Sequence, residues 1–202
     1  MTPDIHAGAP GATPLAPDER TGLIPTWVAT RDDLNAVEQA NIAAAILRLR
    51  RRRLTTAVVL DELFVRSLHT SMFSDVWSWA GAYRTTERNI GFDPRGIAIG
   101  VRNLVDDAAW WMPPDRTWLT RDQAVCRVHH RLVAVHPFPN GNGRHARAYA
   151  DLLMRTLGGQ PFTWGARSAQ GAGPDRQRYL SALRAADANG DDIDPLVAFA
   201  RS

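Results

Sequence analysis

The chain has 202 residues, which suits one domain with a hydrophobic core, or one domain with a tail. Apolar residues make up 45% of it, and no apolar run reaches the length of a transmembrane helix. The formal net charge is only +3, and all 24 basic residues are arginine. The lack of lysine excludes a Walker-type phosphate loop and a Schiff-base mechanism.

The single cysteine, Cys126, excludes an internal disulfide and a cysteine-built zinc site. We expect it to be a buried structural thiol. The N-terminus lacks the basic and apolar regions of a secretory signal, so the sequence predicts a cytoplasmic protein without a membrane partner.

Residues 1–25 are rich in proline, alanine and glycine and have no apolar period, which predicts an N-terminal arm before a domain at 26–202. Thr30, with Asp33 three residues later, predicts a helix N-terminus. The apolar face expected for this helix consists of Leu34, Val37, Ala44 and Leu47. Its end is the arginine run at 50–53, which favours a solvated helix end and makes nucleic acid an unlikely partner.

Further amphipathic stretches predict an all-α fold. One expected face contains Leu60, Leu63, Phe64, Ser67, Leu68, Ser71 and Met72, and a second contains Val101, Leu104, Val105, Ala108, Ala109 and Met112. Thr120 predicts the start of a helix that runs to Val135. Later helices are predicted around 179–186 and from Asp194-Pro195, with a small-residue loop at 165–173 before them.

One segment, residues 79–94, interrupts the helical pattern. It contains two short β-prone pieces separated by glycine and followed by Asp93-Pro94, which predicts a small β-hairpin.

The most informative stretch is His136-Pro-Phe-Pro-Asn-Gly-Asn-Gly-Arg-His-Ala-Arg147. A predicted helix ends at a histidine and a proline, and a glycine-rich turn then leads into another helix. Unpaired N–H groups and the helix dipole make such a turn an anion site. Arg144 and Arg147 are three residues apart and can bind phosphate oxygens, while His136 can accept a proton from an attacking hydroxyl. The pattern predicts phosphoryl or nucleotidyl transfer.

These residues resemble the signature of Fic-domain proteins, which transfer AMP from ATP to a protein hydroxyl. Other segments are similar to the Fic subfamily called "mobile mystery protein B": Leu23-Ile-Pro-Thr, Trp79-Ala-Gly, Arg84-Thr-Thr-Glu, Asn89-Ile-Gly and Phe162-Thr-Trp-Gly. The resemblance implies a helical bundle around the motif helix-loop-helix, with a hairpin flap that docks a target protein as an added strand.

By this resemblance, the catalytic residues are His136, Arg144 and Arg147, and the nucleotide phosphates lie over Gly141, Asn142 and Gly143, bound by the same two arginines. The docking flap is formed by Arg84, Thr85, Asn89, Ile90 and Gly91. ATP is the substrate and Mg²⁺ the implied metal, with Asn140 at the position that the family usually gives to Asp or Glu. An amide oxygen carries no charge, so we expect weaker magnesium binding there.

The resemblance leaves alternatives open. The scaffold can transfer another nucleotide or phosphate-linked group, remove AMP, or act as a non-catalytic nucleotide- or peptide-binding module. The family's inhibitory Ser/Thr-x-x-x-Glu-Gly/Asn pattern does not occur. We therefore expect inhibition, in a toxin–antitoxin-like arrangement, from a partner chain or from other contacts of the arm. Phe138 is expected in the core and His145 at the surface, and a metal site at His129 and His130 is disfavoured because no acidic third ligand lies nearby.

Overall fold

A computed structural model describes residues 17–88, 90–112, 118–165, 174–188 and 192–202. Its helices are α1 (Pro17–Arg20), α2 (Arg31–Arg51), α3 (Thr56–Val59), α4 (Glu62–Phe73), α5 (Ile97–Trp111), α6 (Arg121–Val135), α7 (Asn142–Thr156), α8 (Pro174–Ala188) and α9 (Asp194–Ala200). A 3-10 turn at Pro94–Gly96 leads into α5. No strand forms within these ranges, so the predicted all-α fold is confirmed.

Local capping residues set several helix boundaries where the sequence predicts them. Thr30 and Asp33 form a reciprocal capping box at the start of α2, and Thr120 forms one with Gln123 at the start of α6. The predicted extent of α6, up to Val135, is confirmed. The predicted helices at 179–186 and from Asp194 are also present, as α8 and α9.

The α6–α7 pair lies at the centre of the bundle. Helix α6 packs against α7, α5 and α9, while α3 and α4 pack against α7 and α2 packs against α4. The largest fully buried side chains include Phe73 at the end of α4, Trp77 just after it, and Tyr149 in α7. Phe138, from the loop between α6 and α7, is also fully buried, as predicted. This loop is therefore anchored directly on the core.

Three predicted helix faces need correction, and that of α5 only at Ala109, which is exposed. The buried side of α2 consists of Leu34, Glu38, Asn41, Ala45 and Leu49, whereas Leu47 is exposed. Leu63 of α4 is exposed as well. Both polar residues of the α2 face find partners across the packed surface. Asn41 binds Asp75, and Glu38 accepts from Trp77. Periodicity of apolar residues could not reveal this, because the partners lie far away along the chain.

The predicted β-hairpin at 79–94 does not form among the described residues of that segment. Two of its backbone N–H groups instead bind the end of α6 and the loop after it: Arg84 N–H donates to the Pro137 carbonyl, and Phe92 N–H donates to the Val135 carbonyl. Residues 84–88 and 90–92 are therefore irregular and are held against the end of α6. Tertiary contacts overrode the β-propensity of this segment, because the acceptors for these two N–H groups belong to another part of the chain.

Part of the predicted arm lies outside the described residues, namely 1–16, as does most of the predicted loop at 165–173. The described part of the arm contacts the core: Leu23 and Trp77 form an isolated antiparallel bridge, and Ile24 N–H donates to the Val76 carbonyl. The division at residue 25 stays a prediction. None of the described helices combines the length and apolar character that a membrane crossing requires.

Candidate nucleotide-transfer site

His136 closes the C-terminal end of α6 in a left-handed conformation. Its φ is 52° and its ψ is 58°, and its N–H donates to the Leu132 carbonyl. Few residues other than glycine adopt this conformation, which carries about 1–3 kcal/mol of strain. Such strain persists only where surrounding contacts hold the backbone. It is often found at functional sites.

The imidazole of His136 is neutral at pH 7. Burial, followed by the positive charges of Arg84 and Arg88, lowers its pKa to about 4, while the Val133 backbone acts in the opposite direction. The side-chain Nδ1 is buried and makes no hydrogen bond within the described parts of the chain. Nε2 is therefore the nitrogen that remains to accept a proton from an incoming hydroxyl.

The loop after His136 is held by one asparagine side chain. Asn142 Oδ1 accepts from Phe138 N–H at 2.9 Å, and Asn142 Nδ2 donates to the Phe138 carbonyl at 2.7 Å. Asn142 is itself buried. Because both polar atoms of the amide serve the loop, the side chain fixes the distance between the end of α6 and the start of α7.

Helix α7 begins without a side-chain cap. Gly141 occupies the N-cap position with a φ of 78°, and an added Cβ would lie 2.5 Å from the Phe73 ring, so both its conformation and its surroundings require glycine. The backbone N–H groups of Asn142, Gly143 and Arg144 have no acceptor in the structure described. A Cβ on Gly143 would meet open space. These N–H groups form a ready anion site.

The predicted arginine pair flanks this helix start, but each side chain already has a neighbour. Arg144 Nη1 donates to Glu38 Oε2 at 2.8 Å, and its guanidinium lies 5.1 Å from the Phe73 ring centre. Arg147 Nε donates to the Gly143 carbonyl at 3.2 Å. The Arg147 guanidinium lies 5.6 Å from the ring centre of Tyr179 in α8. The two cations therefore approach the α7 N-terminus from different sides.

Glu38 also belongs to this site, although it was not among the residues predicted from the sequence. Its carboxylate is almost fully buried and binds both Arg144 and, through Oε1, the Trp77 indole N–H at 2.8 Å. A signal existed in the sequence, since an acidic residue lies four positions after Leu34 and seven before Ala45, within the buried stripe of α2. A carboxylate at such a position needs a partner.

Comparison with known proteins agrees with this arrangement. Residues 59–154 match the model of the Fic/DOC family. The chain carries a Fic/DOC family domain.

Two curated relatives are both named protein adenylyltransferase fic-1. The Caenorhabditis briggsae protein is 30% identical over 121 residues, and the Caenorhabditis elegans protein is 32% identical over 123 residues. Each match covers 59% of this chain but only 22% of the relative. The chain thus spans about one fifth of the length of these relatives.

Solved structures show the same fold. A Fic-1 fragment from C. elegans superposes with a TM-score of 0.66 at 22% identity, over 90% of this chain and 51% of that chain. The BepC protein from Bartonella tribocorum, solved with bound AMPPNP, gives a TM-score of 0.68 at 16% identity, over 92% of this chain and 97% of that chain. The similarity to "mobile mystery protein B" stays a prediction.

In this Fic domain, the position expected to face magnesium does not fit a metal held by the protein. Asn140 Oδ1 accepts from Gly141 N–H at 2.6 Å, and the Asn140 backbone carbonyl accepts from the His69 imidazole at 3.0 Å. Both oxygens are neutral and already engaged. No group of three His, Cys, Asp or Glu residues suited to a metal exists within the described ranges, including around His129 and His130. Magnesium usually needs at least one carboxylate besides the phosphates.

Two histidines near the Fic motif loop are buried, and one of them corrects a prediction. His145, expected at the surface, is fully buried and binds the Val65 carbonyl through Nε2 at 2.8 Å. His69 accepts from Gly81 N–H through Nδ1 and stacks on Phe138, so it connects two loops of the site. Its role was not predicted, because its partners are known only from the folded chain.

The residues predicted for the docking flap separate into two groups. Thr85, Ile90 and Gly91 are exposed, as a docking surface requires, while Arg84 is buried and points inward. Asn89 lies outside the described residues. Gly91 lies against the catalytic candidate, since a Cβ added there would be 2.6 Å from His136 Cβ. The flap loop thus covers the backbone of His136.

Proposed function

We propose that this chain is a protein adenylyltransferase that transfers AMP from ATP to a hydroxyl side chain of a target protein. The observation that carries the proposal is the uncapped start of α7, six residues after a neutral imidazole held at the end of α6. Three N–H groups at this start have no acceptor among the residues that the structure describes. The names of the two curated relatives and the bound AMPPNP of the Bartonella structure support it.

In the proposed reaction, the polyphosphate lies over the N–H groups of Asn142, Gly143 and Arg144. Arg147, at the side of the same helix turn, supplies positive charge. The target hydroxyl oxygen attacks the α-phosphorus, a new P–O bond forms, and the bond to the bridging oxygen breaks to release pyrophosphate. His136 Nε2 takes the hydroxyl proton. The bound anion raises the pKa of this imidazole, which makes it a better base in the complex.

Because the residues present do not fit a protein-held magnesium ion, no step is assigned to the metal. Any magnesium would arrive with the nucleotide and be held mainly by its phosphates. Catalysis by the chain itself then consists of positioning the reactants and neutralising charge.

Within this proposal, the ion pair of Arg144 affects the basal activity. Its ion pair with Glu38 must open or be shared before Arg144 can bind a phosphate. We therefore propose low basal activity. Inhibition was predicted to come from a partner chain or the arm, whereas Glu38 is a contact from α2 of the same chain. We also propose that an antitoxin-like partner inhibits the chain and that the target protein docks at the exposed flap residues. The reaction is proposed to take place in the cytoplasm, where ATP is present.

Incubation of the chain with ATP and magnesium tests the proposal. We expect the intact mass to rise by one AMP, or a lysate protein to become labelled. In His136→Ala the rate should fall by roughly 100-fold or more, since general-base catalysis contributes about that much. Labelled CTP, GTP and UTP, added in turn, identify the transferred nucleotide.

Nucleotide binding with no transfer by the native chain, alone or in lysate, would overturn the proposal. The neutral Asn140 and the Glu38–Arg144 pair would then favour the non-catalytic binding module. Loss of AMP from an already modified protein would instead indicate the reverse reaction.

A further inference from the structure

One buried guanidinium connects three backbone segments around His136. Arg84 is only 2% exposed. Its Nε donates to the His136 carbonyl at 2.7 Å, its Nη1 to the Thr86 carbonyl at 2.8 Å, and its Nη2 to the Phe92 carbonyl at 2.5 Å. The backbone N–H of the same residue donates to the Pro137 carbonyl at 2.9 Å. A residue this deeply buried cannot present its side chain to a docking partner.

These contacts meet where the backbone is strained. His136 has a positive φ, and its carbonyl belongs to the last turn of α6, which lacks a continuing helix. The hydrogen bond from Arg84 satisfies that carbonyl and favours the left-handed conformation. A charged donor makes the bond stronger than one between neutral groups.

The same guanidinium also binds the described residues on either side of position 89 in the flap loop. Thr86 and Phe92 lie at the two sides of this loop, and both carbonyls accept from Arg84. Gly91 packs closely against both His136 and the Arg84 guanidinium, because a Cβ there would be 2.6 Å from His136 Cβ and 2.7 Å from Arg84 Nη2. Moving Arg84 would therefore move both the His136 backbone and the loop that covers it.

We infer that Arg84 is a positioning residue for His136, which fixes the direction of the imidazole and holds residues 84–88 and 90–92 against the end of α6, rather than a docking residue for the target. The effect of Arg84 on catalysis rests on the proposed function. The placement of His136 by Arg84 does not depend on that function. The charge of Arg84 also contributes to the low pKa of His136. Lysine cannot replace it, because one ammonium group lacks the planar fork that reaches three carbonyls.

The experiment compares Arg84→Lys and Arg84→Ala with Arg95→Gln in the full chain. Arg95 carries the same charge just beyond the loop, and its side chain is 91% exposed, so Arg95→Gln controls for general loss of positive charge. Three quantities are measured: the rate of AMP incorporation at saturating ATP, the affinity for ATP, and the NMR resonances and titration of the His136 ring.

For Arg84→Lys we expect the rate at saturating ATP to fall about 100-fold with ATP affinity changed less than about threefold, since misplacing a reacting group by about 1 Å has an effect of that size. The His136 ring resonances should shift. In Arg84→Ala the pKa of His136 should rise, and millimolar guanidinium should restore part of the rate. Arg95→Gln should leave the His136 resonances and the rate unchanged.

Unchanged His136 resonances and an unchanged rate in Arg84→Lys would overturn the inference. Weaker ATP binding as the sole change would overturn it too, since that result indicates a binding role. If the native chain transfers no AMP, the proposed function fails, but the His136 resonances still decide the role of Arg84. If Arg84→Ala does not fold, the lysine variant gives the answer.

Discussion

Helices α6 and α7 pack on each other, yet their N-termini are built in opposite ways. At the start of α6, Thr120 accepts from Gln123 N–H at 3.2 Å, and the Gln123 side chain accepts from Thr120 N–H at 2.9 Å. Asp122 adds an acidic residue to the first turn and pairs with Arg201. The start of α7 has no side-chain cap and no acidic residue in its first turn, and Arg144 lies there instead.

One helix end therefore stabilises the fold through its side-chain cap, whereas the other has no side-chain cap. A capping box satisfies orphan N–H groups and contributes roughly 1 kcal/mol. Free N–H groups next to a cation are unfavourable by themselves, because the cation opposes the helix dipole. Glu38 offsets the charge of Arg144 but binds its side chain, so the N–H groups stay open for an anion.

The largest effect is expected from closing the open end with negative charge. Gly143→Asp places a carboxylate in the first turn of α7, where a Cβ meets open space. Like-charge repulsion near a protein surface amounts to a few kcal/mol, so ATP affinity should fall about 100-fold. The melting temperature should not fall, since an acidic residue favours the helix dipole. Calorimetric titration with ATP and a thermal scan measure the two effects.

Gly143→Ala is the matched control for that change. It adds a Cβ without charge in the same open space, and alanine stabilises a helix by about 0.5–1 kcal/mol relative to glycine. Equal loss of ATP affinity in both variants would show that shape rather than charge matters at this end. The prediction that the start of α7 binds an anion would then be wrong.

Low pH should lower the free energy of unfolding, because α6, α7 and the junction between them contain buried histidines. Burial, the largest cause for each, lowers the pKa to about 3 for His129 and to about 4 for His136 and His145. In the unfolded chain these histidines take up a proton at about pH 6.5. Their contribution to the free energy of unfolding is therefore fully present above that pH and is lost as the pH falls towards 4. We expect the free energy of unfolding to fall by at least about 2 kcal/mol between pH 7 and pH 5.

Urea unfolding at both pH values measures this loss, and His145→Asn should reduce the difference between them. A pH-independent free energy of unfolding would show that these rings titrate normally in the folded chain.

Releasing Arg144 should strengthen nucleotide binding at the open end. In Glu38→Gln, the amide oxygen can still accept from the Trp77 indole, while the charge that holds Arg144 is removed. We expect ATP to bind about tenfold more tightly, because a charge-assisted contact of about 1.4 kcal/mol becomes available to the phosphate. Weaker or equal binding, in a variant with native circular dichroism, would mean that Arg144 does not contact the nucleotide.

The smallest effect is expected at the capped end. Thr120→Ala removes one half of the α6 capping box and should lower the free energy of unfolding by about 1 kcal/mol, or the melting temperature by about 2–4 °C. ATP affinity should stay the same, because Thr120 lies at the opposite end of α6 from the motif loop. Thermal scans with and without ATP check both statements, and a change in ATP affinity would contradict the separation of the two ends.

Local rules predicted much of the fold. Thr30 and Thr120 bind N–H groups only three residues away, so the boundaries of α2 and α6 could be inferred from neighbouring side chains. The motif loop could also be predicted. A proline ends the preceding helix, and Gly141 permits the positive φ that the next helix start requires.

Only the tertiary structure decided which distant groups meet at the site. Glu38 is 106 residues from Arg144, Arg84 is 52 from His136, and His69 is 71 from Asn140. The hairpin expected at 79–94 was wrong for the same reason, because its backbone groups bind the end of α6. The sequence by itself determined most of the longer helices and the glycine-rich loop before α7, since their contacts are local. The positions and orientations of the imidazole and the arginines depend on contacts that exist only after the helices have packed.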